Sequence, residues 1–167
     1  MKLRKLQEKD APNMYEWMMD KEVVQHLKTD FFSKTIDDCL SFIVSSYDDP
    51  YNIHMAIVDE NDEYMGTVSL KHIHNSTAEF GITIRKIAMG RGFSKFGMER
   101  MLDIGFNDLS LSLIYWCVDP ANLRAIRFYE KKGYNKCKCP QETIGYTDSE
   151  RETYIWYSTS RNNPDKN

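Results

Sequence analysis

The 167-residue sequence has no long hydrophobic run, no excess of charge of one sign, and few of the residues that staple or interrupt a chain. No apolar stretch approaches the ~18 residues of a membrane-crossing helix, and Met1 to Lys9 is charged and alternating rather than leader-like. The expectation is therefore a cytoplasmic protein with no membrane partner. Lysine plus arginine, 22, nearly balance aspartate plus glutamate, 25. The resulting net charge of −3 lacks the basic field of phosphate-backbone binders, which argues against a nucleic-acid partner. The four cysteines are Cys39, Cys117, Cys137 and Cys139. Two lie in apolar or amphipathic stretches, and Cys137-Lys138-Cys139 is too tight and too isolated for a zinc framework, so free thiols and no metal site are expected. Five prolines and eight glycines form no linker-like run. One domain over residues 1–160 with a flexible tail over 161–167 follows, and no internal repeat contradicts it.

What is present is a packed-domain composition, 41% hydrophobic and 13% aromatic, with a clear order of periodicities. Lys2 to Leu6 reads as a first strand. Asp10 with Pro12 opens a helix carrying Met14, Trp17 and Met18 on one side, and Val23 to Leu27 continues a helical pair. Thr35 to Asp38 is a capping box ahead of Ile36, Leu40, Ile43, Val44 and Tyr47. Three strands follow, His54 to Val58, Tyr64 to Leu70 and Thr77 to Ile84, separated by Asp59 to Asp62 and by His74 to Ser76. The next helix sets Met98, Met101, Leu102, Gly105 and Leu109 against Lys95, Glu99 and Asp103 on its outer side. Leu113 to Val118 is a short apolar run entered from a helix, which predicts parallel pairing. A helix from about Asn122 to Lys132, ended by Gly133, precedes two strands, Tyr134 to Cys139 and Thr153 to Ser158, joined by a polar loop. The fold class is mixed α/β (α+β), a mostly antiparallel central sheet flanked by helices.

Between the third consecutive strand and its helix stands "MGRGFSKFGMERMLDIGF", Met89 to Phe106. Glycines at a strand-to-helix junction are either punctuation or a place where bare N–H groups meet an anion. A dinucleotide fingerprint would need glycine at Lys95, and a P-loop fails at Met98 and Glu99. The loop resembles the acyl-CoA loop of the GNAT superfamily of N-acyltransferases: Gln or Arg, two free positions, Gly, one free position, then Gly or Ala. Here Met89 stands first, Gly92 holds the central glycine, and Ser94 stands last. "WCVDPANLRAIRFYEKKGY", Trp116 to Tyr134, is similar to the second half of the same family's cofactor site, and the element order matches over nearly the whole chain.

The resemblance implies the GNAT fold and direct attack of an amine on the thioester of acetyl-CoA as co-substrate. It places the pyrophosphate on the backbone N–H groups of Gly90, Arg91, Gly92, Phe93, Ser94 and Lys95, with Arg91 and Lys95 adding charge. It gives the main chain of Ile82, Thr83 and Ile84 to the pantetheine arm and makes Asn122 a cofactor-orienting amide. Met89 at the loop's first position lacks the polar contact of Gln or Arg. Asn122, Ala125, Ile126 and Tyr129 share one helix face by their spacing. In isolation Tyr129 would be a core aromatic; beside an acyl-CoA loop it is the general acid for the departing sulfur.

Glu79 is the candidate general base, on the strand leading into the loop. It reads equally as a surface carboxylate or as a holder for a cationic substrate. His72 and His74, on one side of a strand end, can do the same work or form a two-ligand metal pair without a carboxylate in register. The stretch "YEWMMDKEVVQHL" resembles ribosomal-protein N-terminal acetyltransferases and amino-sugar acetyltransferases. Trp17, Phe31, Phe32 and Lys28 offer a shelf, favouring a small amine such as an amino sugar over a peptide N-terminus. A non-catalytic acyl-CoA-binding module is the remaining alternative, and the last two strands leave a homodimer open.

Overall fold

The computed structural model describes residues 1–161, so the expected 161–167 tail lies, beyond Arg161, outside the described residues. A seven-stranded sheet runs in the order β1-β2-β3-β4-β5-β7-β6, with β1 Lys2–Lys5, β2 Ile53–Val58, β3 Tyr64–His74, β4 Thr77–Ile84, β5 Leu113–Val118, β6 Lys136–Cys137 and β7 Ile155–Ser160. Every neighbouring pair is antiparallel except β4 with β5, as the helix between them requires.

Two helical layers cover the sheet. On one face α1 (Ala11–Met18), α2 (Lys21–Val24) and α3 (Ile36–Ser45) bury Met14, Trp17, Met18, Val24, Cys39 and Ile43 against Ala56, Val58 and Tyr64. On the other, α4 (Phe93–Asp103) and α5 (Leu123–Lys131) bury Met98, Met101, Leu102, Ile126 and Tyr129 against Ile57, Val68, Phe80 and Trp116. Period-2 alternation sends Ile114, Trp116 and Val118 into that second core. The faces stay in register because Arg85, buried at the end of β4, ties α1 through Glu16 at 2.6 Å to the start of β3 through Glu63 and the Tyr64 carbonyl, both at 2.8 Å.

Four differences from the sequence reading have physical causes. The capping box at Thr35 is present, but Val44 and Tyr47 are exposed, because α3 presents only one stripe to the core. Leu109 is exposed because the helix unwinds into a π turn at Ile104–Asp108. The strand expected over Tyr134 to Cys139 shrinks to two residues at the sheet edge, since Tyr134 turns inward to close an aromatic cluster around Trp116 at 5.0 Å. The expected polar loop contains a helix, α6 (Asp148–Thr153), opened by a second capping box of Thr147 with Glu150.

Candidate active site

β4 and β5 pair only where Thr77, Ala78 and Glu79 face Leu113, Ile114 and Tyr115. Beyond Glu79, β4 follows β3 while β5 follows β7, so the two strands part. Cavities of about 480 Å³ and about 400 Å³ open at this fork and share Ile82, Thr83, Asn122, Ala125 and Tyr129 as walls. They form one cleft with two halves.

The smaller half is built on main chain. Gly90 and Gly92 take φ of +78° and +90°, a region L side chains avoid, and this turns the chain so that α4 starts at the cleft with Gly92 as its N-cap. Among the described residues the amides of Gly90, Gly92, Phe93, Ser94 and Lys95 have no carbonyl or side chain to donate to. Arg91 departs from expectation: its amide is used by the Ala88 carbonyl at 3.3 Å, and its guanidinium lies over the Phe93 ring, 5.5 Å from the centroid. Phe93 itself is core. The loop residues lining the cleft are therefore Met89, Gly90, Gly92, Ser94 and Lys95, without the side chains of Arg91 and Phe93. Sequence reading missed Arg124, in the first turn of α5, whose guanidinium is 2.6 Å from the Met89 sulfur. With Lys95 and Arg124 against Glu22, this half is a positively charged cradle of free N–H groups that fits a pyrophosphate.

At the fork, Asn122 caps α5, its Oδ1 accepting from the Ala125 amide at 3.1 Å. Tyr129, two turns on, lies against Trp116 and Tyr157, each at 5.3 Å, and reaches both cavities. Burial raises its phenol well above the ordinary value, with further contributions from Cys117, Tyr134 and Tyr157. Such a hydroxyl stays protonated at neutral pH and is a weaker acid than the ordinary phenol expected of Tyr129 as a general acid.

The larger half is built on side chains. Glu79 is 3% exposed; its Oε1 accepts from Lys71 Nζ at 2.8 Å and from the Tyr146 hydroxyl at 2.9 Å. His72 Nδ1 comes within 3.3 Å of Oε2, yet the angle makes no hydrogen bond and both atoms are buried without one. Glu79 is thus neither a surface carboxylate nor a free one. An unbroken hairpin at Asn75 and Ser76 would set His72 opposite Glu79; a bulge with His72 at φ +53° brings Lys71 there instead. The same bulge breaks the shared side expected for His72 and His74, and no cluster of metal-ligating residues occurs among the described residues.

Tyr146 was also missed by sequence reading, since it lies in a loop that returns over the sheet 67 positions after Glu79. Its hydroxyl accepts from Cys117 Sγ at 3.3 Å. Burial raises the Tyr146 phenol far above its ordinary value and pushes the Cys117 thiol up to about 11. Lys28 sits 4.5 Å over the Tyr146 ring and pairs with Glu150 at 3.0 Å. Trp17 and Phe31, 5.0 Å apart edge to face, form part of the wall. Phe32, expected on the same shelf, is 55% exposed and outside it.

A family model described as an acetyltransferase (GNAT) domain matches residues 1–135. The chain belongs to the GNAT acetyltransferase family. Among relatives of the GNAT chain, the N-acetyltransferase p20 of Bacillus licheniformis is 28% identical over 139 residues, 80% of this chain and 78% of that one. The spermidine N(1)-acetyltransferase of Escherichia coli K12 is 26% identical over 138 residues, 81% of this chain and 73% of its own. The fold matches the spermidine N-acetyltransferase of Vibrio cholerae in complex with CoA and spermine, with a TM-score of 0.78, 21% identity, and 95% and 94% of the two chains covered. The protein is an enzyme that uses acetyl-CoA as co-substrate. Among the described residues no helix is long and apolar enough to cross a membrane.

Proposed function

We propose that this GNAT enzyme transfers the acetyl group of acetyl-CoA to the primary amine of a small molecule by direct attack. The observation that carries the reading is the fork of β4 and β5, where a cationic N–H cradle and a cavity with a buried carboxylate meet at Tyr129. Acetyl-CoA, when bound, supplies an acyl group already activated as a thioester. The cradle from Gly90 to Lys95 holds the pyrophosphate, and the wall of Ile82, Thr83 and Ile84 guides the pantetheine arm.

In the larger half, Glu79 takes the proton that the acceptor ammonium must lose. Tyr146 stands between: as its oxygen receives the amine's proton, its own proton moves to Glu79 Oε1, leaving a neutral amine, a neutral phenol and a carboxylic acid. As the amine nitrogen bonds the acyl carbon and the C–S bond breaks, the nitrogen's second proton passes to the sulfur, which leaves as the thiol, and Tyr129 would donate a hydrogen bond to that sulfur as it departs. The contacts of Lys28 with Tyr146 and Glu150 close one side of this half, which favours a small acceptor over a peptide N-terminus. Both an amino sugar and a polyamine, the substrate named for the spermidine relatives, are small amines of the required kind.

Thermal unfolding with and without acetyl-CoA tests the reading, with NADH as control. At ~100 times its dissociation constant, a ligand adds about 2.7 kcal/mol. For a domain of this size that is a rise of roughly 5–10 °C in Tm. An equal response to NADH, or none to acetyl-CoA, overturns it.

A further inference from the structure

The larger half of the cleft carries a further statement about which amine it takes, resting on the acetyl-transfer reading. We propose that the acceptor is a singly charged amine on a flat, apolar body, an arylalkylamine rather than a polyamine or an amino sugar.

Charge is the first argument. The acids lining this half are Glu79 and Asp119, and the lysines are Lys28 and Lys71, so these four formal charges sum to zero. Glu79 is already engaged with Lys71 at 2.8 Å and with the Tyr146 hydroxyl at 2.9 Å, and Asp119 accepts from the Ala121 amide at 2.8 Å. A linear polyamine brings several ammonium groups, and each one buried without a carboxylate carries a desolvation penalty. One can be served at the Tyr146 hydroxyl backed by Glu79, and Asp119 is the single carboxylate left in the lining for all the others.

The walls give the second argument, because the polar atoms around Trp17 and His54 are used within the protein. The Trp17 Nε1–H donates to the Tyr64 hydroxyl at 3.0 Å, which pairs with Thr67 Oγ1 at 2.6 Å. Ser69 Oγ pairs with His54 Nδ1 at 2.7 Å, and burial holds His54 near 4, so it is neutral at pH 7. A sugar hydroxyl set against these side chains would give up its hydrogen bonds to water without finding replacements. This stretch of wall presents Met14, Trp17, Phe31 and Phe42 to a ligand. Phe42 meets the His54 ring edge to face at 4.7 Å, and Trp17 meets Phe31 at 5.0 Å. Such walls favour an aromatic or aliphatic body by burial and ring contact.

The experiment is a thiol-release assay on the full chain with 2-phenylethylamine, spermidine and glucosamine, run beside the acetyl-CoA thermal shift. The expected result is a kcat/KM for 2-phenylethylamine at least tenfold above both others. Spermidine or glucosamine at parity or better overturns the proposal. A thermal shift with acetyl-CoA but no turnover of any amine also overturns it while leaving the cofactor reading in place; no shift removes both. Phe31→Glu, which adds an unpaired carboxylate to the wall, should move the phenylethylamine-to-spermidine ratio at least tenfold towards spermidine. Because a ratio is insensitive to the fraction of folded enzyme, an unchanged ratio counts against this wall as the acceptor site.

Discussion

The two halves of the cleft are built from different materials. The cofactor half is made of backbone: two glycines at positive φ, a run of unpaired amides and one wall of β4, drawn chiefly from residues 82–95 and the first turns of α5. The acceptor half is made of side chains from α1, the segment after α2, β3, β4, β5 and the loop around Tyr146. A pyrophosphate needs donors and positive charge in a short arc, which one strand-to-helix junction can provide. An amine needs a carboxylate, a proton path and a body-shaped wall, which only folding brings together.

The sharpest test of the difference is Glu79→Gln. If Glu79 is the proton acceptor proposed above, the change should lower kcat by about 100-fold at neutral pH, the lower end of the range for general base catalysis, with acetyl-CoA affinity unchanged. The deficit should shrink as pH rises through the acceptor's own pKa, because the amine then arrives without the proton that Glu79 would take. A deficit independent of pH would show that the Glu79–Lys71 pair only holds the hairpin together.

Legibility in the sequence followed the same division. β4 and β5 have the bounds their periodicity predicts, Thr77–Ile84 and Leu113–Val118, and the parallel pairing follows from the helix between them. The glycine loop and the face of Asn122 and Tyr129 were visible because their partners are a few residues away. Lys71 opposite Glu79 was not, because a single bulge at His72 moves the register by one residue. Tyr146 could not be placed at all from local pattern, as nothing near it in sequence points to Glu79. The capping box Thr147 to Glu150 was readable, but a six-residue helix with no buried residue carries no apolar period to confirm it.

In the cofactor half the corresponding change is Gly92→Val. A Cβ on Gly92 has room, its nearest neighbour being the flexible end of Met1 at 3.8 Å, so the obstacle is the backbone. At φ +90° a β-branched residue is strained, and relieving the strain turns the amides of Phe93 to Lys95 away from the position proposed for the phosphate. Acetyl-CoA binding should weaken at least tenfold by titration, while amine selectivity measured at saturating acetyl-CoA stays as in the parent. A change in selectivity would mean that the halves are not separable.

The smallest effect concerns the loop's first position, where Met89 offers no polar contact. Arg124 stands against the Met89 sulfur from the opposite element and brings a cation to the same rim. The guanidinium is exposed, so its attraction for a phosphate is weakened by solvent and salt. Arg124→Ala should therefore raise the Kd for acetyl-CoA only about threefold at low ionic strength, equivalent to roughly 0.6 kcal/mol, and the difference should vanish near 1 M salt, where the Debye length falls to about 3 Å. Persistence of the difference at high salt would assign Arg124 a packing role against Met89 instead, since apolar contact is not screened. A null result at low salt would leave the N–H cradle and Lys95 as the whole of the phosphate site, and would make the cofactor half still more purely a property of the backbone.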